Sequence, residues 1–129
     1  MTQNRYIKDT ANASLRTIAM PADSNPNGDI FGGWLLSQMD LAGAVVAKQT
    51  AKGRVATVAV DAMTFHQPVF IGDLVACYCE LERVGNTSMT VKVESWAQRM
   101  ASGEEVLVTE GRYTYVAIDE SRKPRPVKE

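Results

Sequence analysis

The stretch from Ile30 to Gln49 limits what this chain can fold into more than any other feature. It contains no proline and is rich in Leu, Met, Ala and Gln, all good helix formers. Phe31, Trp34, Leu35, Gln38, Ala42, Val45, Val46 and Gln49 recur at three- and four-residue steps, and Leu36, Met39 and Ala47 add apolar surface on a further side. A helix that is apolar over most of its circumference is a buried helix. At 1.5 Å per residue it runs about 30 Å, so something of that length must cover it. Lys52-Gly53 marks its end, with the glycine suited to a left-handed cap.

The rest of the chain supplies the cover. Ser14–Met20 reads as a short first strand, and Pro21–Gly28, PADSNPNG, is a loop of turn formers. Beyond Arg54 the period changes from three-and-a-half to two. Val55–Phe65, Asp73–Arg83, Ser88–Gln98 and Glu105–Ile118 alternate as strands, separated by turns at Pro68 to Asp73 and at Gly85-Asn86. Strands joined by short turns form an antiparallel sheet. The sheet offers the only large surface, so it must curl around the helix. The expected architecture is α+β, one long central helix wrapped by a curved antiparallel sheet of about five strands. A single domain over 13–118 is expected, with an N-terminal segment 1–12 and a flexible, charged C-terminal tail 119–129.

Charge and cysteine usage remove several function classes. Fourteen basic residues against fifteen acidic ones give a formal charge of -1, which leaves no field to attract nucleic acid or an anionic membrane. Cys77 and Cys79 share one face of a strand in an apolar run and read as buried thiols of a reducing compartment. With one histidine in the chain, a metal site lacks ligands. MTQNRYIKDT at the start is too polar for a signal peptide, and no apolar run has the length to span a bilayer. A cytoplasmic protein is expected, without a metal or organic cofactor. No G-x-S-x-G elbow supports a serine hydrolase. His66, beside Gln67-Pro68, reads as a structural or surface residue.

Three stretches carry a resemblance: AMPADSNPNGDIFGGWLLSQMDLAGAVVA, GRVATVAVDAMTFHQPVFIGD and ERVGNTSMTVKVESW. Their combination, N-x-x-G-x-x-F-G-G-x-x-x-x-x-M-D followed by P-V-x-x-G-D, resembles the hot-dog acyl-CoA thioesterases over roughly residues 13 to 118. It is similar to the YciA-type bacterial enzymes and to the two-domain acyl-CoA hydrolases of animal brain. The resemblance implies a hot-dog fold and hydrolysis of acyl-CoA to a free acid and coenzyme A. It also implies two active sites at a dimer interface and a hexamer built as a trimer of dimers. The catalytic carboxylate falls on Asp40, the loop asparagine on Asn25, and the glycine pair on Gly32 and Gly33.

The residues themselves support that chemistry. Asp40 is the only acid well inside the helix, and its helical neighbours Leu36, Gly43, Ala44 and Ala47 are apolar or small. The small ones would leave room for a ligand beside the carboxylate. An aspartate there is unfavourable for helix propensity and for burial, so it reads as a general base or nucleophile, against a solvated helix carboxylate. Gly32 and Gly33 begin the helix, where N–H groups are free and the dipole is positive. They read as oxyanion donors, against tight packing on a strand. Asn25 reads as a donor to the carbonyl or to the attacking water, against an Asx turn. Asp29 reads as the helix N-cap. Asp40 lies seven residues beyond Gly33, roughly 10 Å along the axis. One carbonyl carbon cannot be served by both groups of one helix, so an antiparallel helix from a second subunit must supply the other half.

Coenzyme A carries phosphates, for which Arg54, Arg83 and the Asn86-Thr87-Ser88 turn are candidate contacts. Trp34, Met39 and Met63 are candidates for lining an acyl tunnel, equally explained by core packing. Two other readings compete: a hot-dog enoyl-CoA hydratase, which would need a histidine in or near the helix, and a non-catalytic acyl-CoA binding module, which would need an output domain.

Overall fold

The computed structural model describes residues 6–128. A short 3-10 turn, Ile7–Asp9, precedes β1 (Leu15–Ile18). The long helix α1 (Gly32–Ala51) follows, then β2 (Val55–Phe65), β3 (Leu74–Val84), β4 (Ser88–Gln98) and β5 (Glu105–Ala117). Five strands form one antiparallel sheet in the order β1-β3-β4-β5-β2. The core lies between the sheet's inner face and α1. Leu35, Met39, Ala42 and Ala47 of the helix pack there with Val75, Met89, Val91, Tyr113 and Tyr115 of the sheet. This is the helix-on-sheet α+β arrangement expected from the two periodicities.

Three details of the helix differ from expectation. The helix is buried on one side only: Phe31, Leu41 and Val45 stay 50%, 57% and 40% exposed. Five strands cover only the inner side, so the apolar circumference exceeds what one subunit can bury. The left-handed cap is Lys52 (φ 55°), not Gly53. Gly53 answers a different demand. A Cβ there would press on the Arg125 guanidinium, which donates to the carbonyl of Ala51 at the helix end (2.8 Å). Finally, Asp29 does not cap the helix. Its neighbours Ile30 and Phe70 pull the chain into extended pairing, through Ile30 N–H to the Val69 carbonyl (3.1 Å) and an Asp29–Phe70 bridge. The helix therefore starts two residues later, after Phe31, without a side-chain cap.

The C-terminal segment, expected to be a loose tail, is packed in the structure. Arg125 N–H donates to Ala117, Val127 N–H donates to Asn86, and Val127 is 3% exposed. No helix among the described residues is long and apolar enough to cross a membrane.

On the sheet's other face a second cluster joins Ile7, Ala76 and Tyr78. Glu94, fully buried on β4, ties the N-terminal turn to it. Its carboxylate accepts from Ile7 N–H (2.9 Å), Lys8 N–H (3.3 Å) and the Trp96 indole (3.0 Å). Replacing Glu94 by leucine keeps the volume and leaves these donors without an acceptor, at about 1–3 kcal/mol for each one that stays buried. A Glu94→Leu variant is expected to unfold at a clearly lower urea concentration, equivalent to about 2 kcal/mol or more. An unchanged midpoint would show that water replaces the carboxylate.

Candidate active site

Asp40 occupies the ninth position of α1 and is half-buried. The sheet holds it from two strands. Thr57 of β2 donates its hydroxyl to Oδ1 (2.8 Å), and the Tyr115 phenol of β5 donates toward the same oxygen (3.0 Å) and toward the Asp40 carbonyl (2.9 Å). Among the described residues no hydrogen bond reaches Oδ2. One oxygen is fixed and the other is presented, the geometry of a carboxylate oriented to take a proton or attack a carbon. One turn earlier, the Tyr113 phenol donates to the Leu36 carbonyl (2.7 Å). The two tyrosine rings stack 6.4 Å apart. Burial, followed by the Asp40 charge, pushes both phenols above their ordinary range.

One of the small residues near Asp40, Gly43, has a use that the sequence did not show. A Cβ at Gly43 would collide with the Tyr115 hydroxyl. The gap at Gly43 holds the phenol that positions the carboxylate. Tyr113, Tyr115 and Thr57 were absent from the sequence-derived candidates. The Tyr-x-Tyr spacing on a strand was their one signal, because two same-face buried phenols must find acceptors.

Gly32 and Gly33 start the helix and are exposed. The first intrahelical bond is Leu35 N–H to the Phe31 carbonyl (3.3 Å), so the N–H groups of Gly32, Gly33 and Trp34 carry no partner among the described residues. A Cβ at Gly33 would meet nothing within 4 Å, and one at Gly32 only the Phe65 ring (3.7 Å). Tight packing therefore does not require glycine at 33. Open space above free amides suits a ligand oxygen.

Both groups lie against β2, toward its two ends. Thr57 at the start of β2 touches Asp40, and Phe65 at its end lies nearest Gly32. β2 is an edge strand of the sheet, and Val58, Val60 and Phe65 on it are 57%, 46% and 55% exposed. An edge strand with exposed apolar side chains, together with the exposed Leu41 and Val45 of α1, has the character of an interaction surface.

The remaining candidates are distributed as follows. Asn25 forms an Asx turn, its Oδ1 accepting from Asn27 N–H (2.9 Å) and Asp29 N–H (3.1 Å). The carbonyl side of that amide is thus spoken for, and its donor side is not bonded to any described residue. Arg54 lines an open depression of about 340 Å³ with Ile118 and Arg125. Asn86 lines another of about 150 Å³ with Gly85, Pro126 and Lys128. Both flank the packed C-terminal segment at the helix's C-terminal end. In the hairpin turn, Gly85 N–H donates to Ser88 and the Thr87 carbonyl accepts from Ala117. Arg83, opposite Thr90 on β3, lines neither depression. Neither one includes Asp40 or Gly33. His66 pairs with Glu110 (2.9 Å) on the surface. The thiols read as core do sit there: burial pushes Cys77 up to about 12 and Cys79 up to about 11. Met39 is fully buried, while Trp34 and Met63 are partly buried.

Comparison with known proteins matches residues 27–104 to the thioesterase superfamily. The acyl-CoA thioester hydrolase YciA of Salmonella typhimurium is 53% identical over 116 residues, covering 88% of this chain and 87% of its own. The crystal structure of a hexameric thioesterase from Yersinia pestis superposes with a TM-score of 0.86 at 50% identity, covering 91% of this chain and 95% of that one. A hexameric hot-dog thioesterase of Campylobacter jejuni gives 0.88 at 45% identity, covering 92% and 91%.

The tyrosine pair yields a prediction with a definite sign. The native state keeps Tyr113 and Tyr115 protonated above the pH where an unfolded phenol ionises, near 10. Their contribution to stability is complete below that pH and is lost as pH rises beyond it toward the folded values. A spectrophotometric titration is expected to show a late phenolate component that appears with unfolding and disappears in a Tyr113→Phe/Tyr115→Phe variant. Reversible ionisation of all four tyrosines near pH 10 in the folded protein would contradict the bonding described.

Proposed function

The chain belongs to the thioesterase superfamily, and from that premise we propose that it hydrolyses the thioester of acyl-CoA to a free carboxylic acid and coenzyme A. The observation that carries the reading is the Asp40 carboxylate, fixed through Oδ1 and open at Oδ2, on the same helix as unpaired helix-start amides. Relatives at this level of identity are named acyl-CoA thioester hydrolases.

The reaction needs a second subunit. Along one helix Asp40 and Gly33 lie roughly 10 Å apart, too far to serve one carbon. With the β2 edges of two subunits paired, the helices run antiparallel and each Asp40 faces the partner subunit's Gly33. The thioester oxygen accepts from that amide, and the positive helix end supports the charge that develops on it. Water attacks the carbonyl carbon as Asp40 Oδ2 takes its proton. The tetrahedral intermediate collapses, the C–S bond breaks, and the departing sulfur takes the proton back from Asp40. Direct attack by Asp40, giving a mixed anhydride that water then opens, uses the same placement. The Asn25 amide is available to orient the water or the carbonyl. Arg54 and the Asn86-Thr87-Ser88 turn lie toward the helix's C-terminal end, the side on which we place the phosphates of coenzyme A. Arg83 remains a more distant candidate.

The assembly is a homo-oligomer, a dimer at minimum and by analogy with its hexameric relatives a trimer of dimers. It operates in the cytoplasm, with no metal or organic cofactor in the cycle. A thiol-release assay over several acyl-CoAs tests the reading. Asp40→Asn, which keeps the bonds from Thr57 and Tyr115, is expected to lower kcat by about a thousandfold with fold and assembly retained. Thiol release at the wild-type rate by that variant would overturn the assignment of Asp40.

A further inference from the structure

The middle of β2 is irregular in a way that the acyl-CoA reading gives a purpose. Pairing with β5 is regular at Val60–Tyr113 and Asp61–Arg112, then slips before resuming at Thr64–Glu110 and Phe65–Thr109. Within the slip Ala62 adopts φ +55°, a left-handed conformation that costs an alanine about 1 kcal/mol or more. Partners across an antiparallel pair share a face, so Val60 and Phe65 point inward with Tyr113 and Thr109, while Asp61 and Thr64 point outward. Ala62 and Met63 together stand opposite one residue of β5, Gly111, which pairs only with Val93 on its other side. The bulge therefore turns the Met63 side chain inward, against the core. Gly111 forms the matching notch: a Cβ there would overlap the Met63 thioether along its length from Cγ to Cε.

The place of this bulge matters. Met63 lies between Thr57, which holds Asp40, and Phe65, whose ring is nearest Gly32. It is half-buried and packed against the core, on the same strand as both of those residues. We propose that Met63, seated in the Gly111 notch by the left-handed turn at Ala62, is the side chain that sets how long an acyl chain this site accepts. The proposal rests on the acyl-CoA reading above. In the proposed site the carbonyl lies between an Asp40 and a Gly33 amide, and Met63 faces inward on the strand that touches Asp40 through Thr57 and approaches Gly32 through Phe65, so the proposal runs the acyl chain past it. An unbranched thioether with three free torsions is suited to block or line its path. A merely structural plug would fill the same notch and leave chain-length preference unaffected.

The test is a profile of kcat/KM against straight-chain acyl-CoAs from acetyl to palmitoyl. Met63→Ala removes about three methylenes' worth of side chain and is expected to favour longer substrates, raising the long-to-short ratio about tenfold or more. Gly111→Ala fills the notch, displaces the thioether from it and is expected to lower that ratio by a similar factor. Met63→Phe enlarges the side chain without touching Gly111 and is expected to act in the same direction, which covers a failure of Gly111→Ala to fold. In Met63→Ala/Gly111→Ala the notch has no occupant to displace, so the profile is expected to match that of Met63→Ala. Active wild-type enzyme with an unchanged profile in Met63→Ala and Met63→Phe would overturn this proposal alone. Wild-type protein that hydrolyses no acyl-CoA would overturn the acyl-CoA reading, and this proposal with it.

Discussion

The bond from the Tyr115 phenol to Asp40 fixes the relation between sheet and helix on which the rest depends. A carboxylate halfway along an apolar helix is unfavourable by propensity and by desolvation. It is tolerated because β5 and β2 each bring a hydroxyl donor to the same oxygen, Tyr115 at 3.0 Å and Thr57 at 2.8 Å. Gly43 is the local condition for that contact, since any side chain there would occupy the position of the phenol. Tyr113 repeats the attachment one turn earlier, on the Leu36 carbonyl. The helix is thus held in register by two strand residues, and the free Oδ2 is aimed by the same bonds.

One subunit is incomplete in two independent respects. Its helix leaves Leu41 and Val45 exposed, and its edge strand leaves Val58, Val60 and Phe65 exposed. Its carboxylate and its free amides lie seven residues apart on the helix, roughly 10 Å along the axis. The dimer proposed above, a second copy added along β2 with its helix reversed, would meet both deficits in one operation. In that dimer stability and chemistry would share one interface, and the exposed apolar residues of α1 would have a use.

Much of this was legible in the sequence, and the exceptions have physical reasons. The change of period at Arg54 separated helix from strands, and β2 and β4 ended at the residues expected, Val55–Phe65 and Ser88–Gln98. Asp40 and the glycine pair stood out because each violates a local preference. Tyr115, Tyr113 and Thr57 did not, because a tyrosine or threonine in a strand violates nothing; their role appears only when the helix is laid over them. The cap at Lys52 was hidden by the adjacent Gly53, whose missing side chain serves a contact from Arg125, 72 residues further on. Asp29 looked like a cap until pairing with Phe70 claimed its backbone. The tail's polar composition concealed one buried side chain, Val127. In each case a long-range contact overrode a local signal.

The shared site is open to direct measurement by mixing two inactive proteins. Asp40→Asn lacks the carboxylate, and Gly33→Pro lacks one helix-start N–H at a position in the first turn where proline is tolerated. Each pure variant has no complete site. After dissociation and reassembly in equal amounts, half the dimers are mixed and each holds one intact site, so recovery of about a quarter of the wild-type activity per site is expected. Mixed assemblies as inactive as their parents would place both groups in one subunit's site and contradict the account.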